Sequence, residues 1–126
     1  MPRSPTPTAC SAGSSSRFVD RRGVIDELRQ LCRRARQQRP DIESVVLFGS
    51  YARGSCGPRS DADLFVVLAD SPHARRMDRI PDLLRVFAPT PVPLDIVPWT
   101  RAELDQARKR GDRWIAMVQR QGIELL

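Results

Sequence analysis

Residues 45–68, VVLFGSYARGSCGPRSDADLFVVL, decide how the rest of the chain is arranged. They read as an apolar strand, a Gly-Ser turn, a small polar loop, and an Asp-x-Asp that opens a second apolar strand. Both runs, Val45–Phe48 and Leu64–Leu68, are continuously apolar, as expected of strands covered on both faces. Asp61 and Asp63 are two residues apart, so on a strand both carboxylates face one side, roughly 6.6 Å apart by strand rise. At an effective dielectric near 20, two such anions repel by roughly 2.5 kcal/mol. A divalent cation between them is the simplest remedy. Upstream, Gly49 allows a backbone to approach a phosphate closely, and Ser50 adds a hydroxyl at the expected start of a short helix, where free N–H groups favour anions.

Outward from this stretch, residues 1–16 are rich in Ser, Pro, Thr and Gly, with Arg3 as their single charged side chain. The expected division is an unstructured tail over 1–17 and one domain over 18–126. Asp20 reads as the N-cap of an amphipathic helix carrying Val24, Leu28, Leu31, Cys32 and Ala35 on one stripe, stopped by Pro40. Ser71 and Pro72 suggest a second helix start, with Ala74, Met77, Ile80, Leu84 and Phe87 at helical spacing and a break at Pro81. The proline-rich run 89–93 leads into Leu94-Asp95-Ile96-Val97, a third strand with an acid inside it. Thr100 and Glu103 form a capping box, and Asp112 caps a last helix that ends at Gly122. Ile123–Leu126 adds a short strand or an apolar tail.

Helices and strands in alternation argue for an α/β (α+β) sandwich with a small sheet of three or four strands. The sheet is expected to be mixed, since too few residues separate the first two strands for a parallel crossover. If the third strand lies beside the second, Asp95 reaches the pole formed by Asp61 and Asp63. Three carboxylates beside a Gly-Ser phosphate grip describe a site for phosphoryl or nucleotidyl transfer.

The net charge of +6 is almost wholly arginine, because Lys109 is the one lysine. It favours polyanions in general, and binding to nucleic acid is not the favoured reading. Three cysteines without zinc-type spacing argue against a disulfide framework or a structural metal, and the absence of a long apolar run argues against a membrane span. A cytoplasmic location is expected. His73, Trp99 and Trp114 are read as surface, core and rim residues.

Gly49-Ser50, ten intervening residues, Asp61-x-Asp63, a hydrophobic strand and a later apolar-Asp-apolar at 94–96 resemble the polymerase β-like nucleotidyltransferase superfamily, and within it the minimal nucleotidyltransferases, or MNT proteins. Arg53, Gly54 and Ser60 also match that pattern. The resemblance implies that Gly49 and Ser50, with Arg53 and Ser60 near them, hold the triphosphate of ATP. It further implies that Asp61, Asp63 and Asp95 hold two Mg²⁺ ions, and that Asp95 helps activate the attacking hydroxyl. Stand-alone MNT proteins resemble the antitoxin half of HEPN/MNT pairs, which implies AMP transfer to a tyrosine of a helical HEPN toxin. Masking of the partner without catalysis, or transfer to nucleic acid or a small molecule, are the competing readings.

Overall fold

The computed structural model describes residues 20–55, 57 and 60–126; the expected tail over 1–17 and two of the three cysteines, Cys10 and Cys56, fall outside them. Asp20 accepts a hydrogen bond from the Gly23 amide at 3.1 Å and so starts helix α1 (Arg21–Gln38), whose buried stripe is Ile25, Leu28, Leu31, Cys32 and Ala35. Val24, expected on that stripe, is half-buried at its edge. Among the described residues four strands follow: β1 (Ile42–Phe48), β2 (Ala62–Leu68), β3 (Leu94–Thr100) and the two-residue β4 (Ile123–Glu124). They form one sheet in the order β3-β2-β1-β4, with β1 antiparallel to both β2 and β4, and β2 parallel to β3. The expected mixed sheet is the one observed.

Each sheet face has its own core, which is why the strands read as continuous apolar runs rather than alternating ones. Val45, Leu47, Leu64, Val66, Leu68 and Ile96 pack on one side with α1 and with α3 (Ile80–Phe87). Phe65, Val67 and Trp99 pack on the other with α4 (Arg101–Lys109) and α5 (Arg113–Gln121). There Phe48, Phe65, Trp99 and Trp114 contact one another at ring separations of 5.5–5.7 Å. The packing role expected of both tryptophans is the one they have. The Thr100–Glu103 capping box closes α4, and Asp112 accepts from the Ile115 amide at 3.0 Å to start α5.

The helix expected from Ser71 is not there. Asp70 and Ser71 spend their side chains on the amides of Ser71 and His73, local bonds that compete with helix formation. The chain stays irregular until a 3-10 turn at Arg76–Arg79, and α3 begins at Ile80 with Pro81 in its first turn. Pro81 therefore opens a helix instead of breaking one, since a missing N–H is harmless in a first turn. Met77, placed at helical spacing in the expected helix, lies in the 3-10 turn and is 76% exposed. Among the described residues no helix is long and apolar enough to cross a membrane.

Candidate active site

Three short pieces of backbone meet at one end of the sheet. The register pairs Asp63 of β2 with Phe48 of β1 on one side and with Asp95 of β3 on the other. Because side chains alternate along a strand, Asp63 and Asp95 share the face that carries Phe65, Val67 and Trp99 further along. Two carboxylates on adjacent strands at paired positions are separated by about one strand spacing, roughly 4.8 Å between backbones. Asp63 is half-buried and Asp95 is exposed.

Burial first, then the negative charges of Asp95 and Asp61, push the Asp63 carboxyl above its ordinary range, and the Arg53 guanidinium offsets part of this. Asp61, Asp63, Asp95 and Arg53 thus lie within electrostatic reach of one another. Two details differ from the sequence reading. β2 begins at Ala62, whose amide donates to the Pro93 carbonyl at 2.9 Å, so Asp61 stands just outside the ladder, exposed at the end of the loop. Asp95, expected in the middle of an apolar strand, lies exposed near the start of the edge strand β3.

The Gly-Ser turn is fixed against the same acid. Gly49 has φ +75°, and a Cβ there would fall 2.0 Å from Asp63 Oδ2. Glycine is needed on both counts, for the left-handed backbone and for the room taken by the carboxylate. Directly after it, α2 (Ser50–Arg53) makes one short helical turn that ends at Gly54, φ +79°. Ser50 is half-buried and Arg53 exposed. Tyr51, 1% exposed, anchors this turn in the core. Burial and the charge of Asp61 together push its phenol above the ordinary range. Ser60 Oγ accepts from the Gly57 amide at 2.7 Å, closing the loop before Asp61.

Sequence reasoning passed over two residues that build the site. Tyr51 has no periodic neighbours to mark it as core. Arg21, at the start of α1, donates from Nε to the Tyr51 carbonyl at 2.6 Å and from Nη2 to the Ala52 carbonyl at 3.1 Å. Its partners lie 30 residues away, so no local pattern signals it.

The donor set suits a hard divalent cation: carboxylate oxygens alone, with Asp63 under repulsion from both neighbours. Among the described residues no group of three or more His, Cys, Asp or Glu side chains forms a ready-made metal cage, in keeping with Asp61 lying outside the ladder.

The family profile described as a nucleotidyltransferase domain matches residues 26–115. A Methanocaldococcus jannaschii protein named as a candidate protein adenylyltransferase is 43% identical over 56 residues, covering 44% of this chain and 36% of that protein. The chain therefore matches about a third of that relative's length. A crystal structure of a candidate nucleotidyltransferase from Sulfolobus solfataricus superposes with a TM-score of 0.57 at 21% identity, covering 75% of this chain and 83% of the other. At that identity the likeness speaks to the fold alone. A toxin-antitoxin structure with AMP-PNP aligns at a TM-score of 0.49 and 22% identity, over 78% of this chain and 72% of the other, too distant to carry an inference.

Proposed function

Since the chain belongs to the nucleotidyltransferase domain family, we propose that it transfers AMP from ATP to a hydroxyl of a partner protein, a tyrosine of a HEPN-type toxin, and so acts as an antitoxin. One juxtaposition carries the reading: Asp63 pairs with Asp95 across β2 and β3 and is packed against Gly49 at the head of the Ser50 turn. The turn read as a phosphate grip thus adjoins the acid pair. Support for protein as the acceptor is the partial match to the M. jannaschii protein.

In this reading Gly49 and Ser50 bind the triphosphate, with Arg53 and the Ser60 hydroxyl beside it. Asp61, Asp63 and Asp95 would hold Mg²⁺, which when bound would supply charge neutralisation at the reacting phosphate. Asp95, exposed at the strand edge, takes the proton of the acceptor hydroxyl. The acceptor oxygen bonds to the α-phosphorus as the α–β bridging bond breaks, and pyrophosphate leaves. The contribution of the chain is orientation and charge placement.

The test is intact-mass spectrometry of a co-encoded helical partner incubated with ATP, Mg²⁺ and trace amounts of this protein. The partner should gain AMP units, and none with Asp61→Asn/Asp63→Asn. Neutralisation of the partner by that double variant, with no change of mass, would mean that the protein works by covering it.

A further inference from the structure

The helical turn that carries Ser50 is too short to hold itself. Four residues leave α2 with few internal bonds, among them Arg53 N–H to the Gly49 carbonyl at 3.0 Å and the Gly54 cap to Ser50. Among the described residues no backbone N–H of the turn donates to the carbonyls of Tyr51 and Ala52. Both are taken by one guanidinium, that of Arg21, in a two-pronged contact at 2.6 and 3.1 Å. The Arg21 side chain is half-buried, and the left-handed Gly54 lies against it, with Arg21 Cζ and Nε each 3.9 Å from the place a Cβ would occupy.

From this geometry we propose that Arg21 is a positioning residue for nucleotide binding: it touches neither phosphate nor acceptor, and sets the Ser50 turn from behind. The inference rests on the reading of Gly49 and Ser50 as the phosphate grip. A planar, permanently charged fork suits two adjacent carbonyls, whereas a lysine ammonium engages them less well.

Arg36 supplies an internal control, because it uses the same fork on the β1 carbonyls of Ile42 and Glu43, at 3.1 and 3.0 Å, at the opposite end of that strand from Gly49. ATP with Mg²⁺ is titrated calorimetrically into wild type, Arg21→Ala, Arg21→Lys and Arg36→Ala, and amide exchange of residues 51–55 is followed without nucleotide. Arg21→Ala should weaken ATP binding about tenfold and speed exchange across the turn, with Arg21→Lys between it and wild type. Arg36→Ala should lower the melting temperature and leave ATP affinity unchanged. Equal ATP affinity in Arg21→Ala and wild type, or an equal loss in Arg36→Ala, overturns the role of Arg21 while leaving the phosphate grip standing. Wild type that binds no ATP overturns the phosphate grip itself, and this inference with it.

Discussion

Gly49 and Asp63 occupy space that only one arrangement of both permits. An alanine at position 49 would be held at φ +75° with its Cβ 2.0 Å from Asp63 Oδ2, so the backbone strains and the carboxylate turns away. Strain of this kind costs ~1–3 kcal/mol, which a domain of this size survives. The displaced acid matters more, since misplacing a reacting group by about 1 Å can lower a rate by roughly 100-fold. Gly49→Ala should therefore lower the melting temperature by several degrees and reduce AMP transfer by about two orders of magnitude at a temperature where it is fully folded. A loss of activity no larger than the unfolded fraction explains would sink this coupling. At this scale the meeting of Gly49, Asp63 and Asp95 was legible, because a Gly-Ser turn, an Asp-x-Asp and a later strand acid stand out at that spacing. Arg21 and Tyr51 were not, because a long-range carbonyl contact and an isolated buried ring leave no periodic trace.

Among the elements, the segment between β2 and α3 was misread, and to the local side-chain bonds of Asp70 and Ser71 is added a pair between buried Arg79 and half-buried Glu103. Arg79, 4% exposed, donates to both Glu103 oxygens at 2.8 and 3.1 Å and to the carbonyls of His73 and Pro98 at 2.9 and 3.2 Å. A tertiary tie to α4, invisible to helical spacing, thus gathers the 70–79 segment into a loop and a 3-10 turn. The strands and α4, set by local apolar runs and caps, were legible for the opposite reason. Arg79, above all, with the Thr100 amide, holds the Glu103 carboxyl down to about 2. Unfolded Glu protonates near 4.5, so the unfolded chain binds the extra proton and this contribution is present at neutral pH and lost as pH falls from about 5 to 2. Glu103→Gln should destabilise by about 3 kcal/mol at pH 7. The gap between the two proteins should close on acidification through that window, with Asp41 and Asp82, also held low by arginines, shifting both alike. Urea melts from pH 2 to 7 measure it. A gap that stays constant with pH would show that Glu103 contributes packing and not charge.

For the whole molecule, two electrostatic features pull in opposite directions: a net charge of +6 attracts any polyanion, while the acid pole at one end of the sheet repels it. ATP alone should accordingly bind weakly and diffusely, through arginines, and lose that binding as salt rises to about 0.5 M, where screening is short-ranged. ATP with Mg²⁺ should bind at the acids. A ligand at 100 times its dissociation constant stabilises the folded state by about 2.7 kcal/mol, a gain of several degrees that survives the added salt. Asp61→Asn/Asp63→Asn removes the anions that make Mg²⁺ necessary. It should melt higher than wild type without ligand, because burial and the neighbouring charges already disfavour ionised Asp63, and it should gain nothing specific from Mg²⁺. Thermal melts of both proteins, with ATP, with Mg²⁺, and with the two together, at low and high salt, separate the effects. If the double variant keeps the salt-resistant Mg²⁺-ATP gain, the nucleotide sits elsewhere on the arginine-rich surface and the acid pole has another purpose.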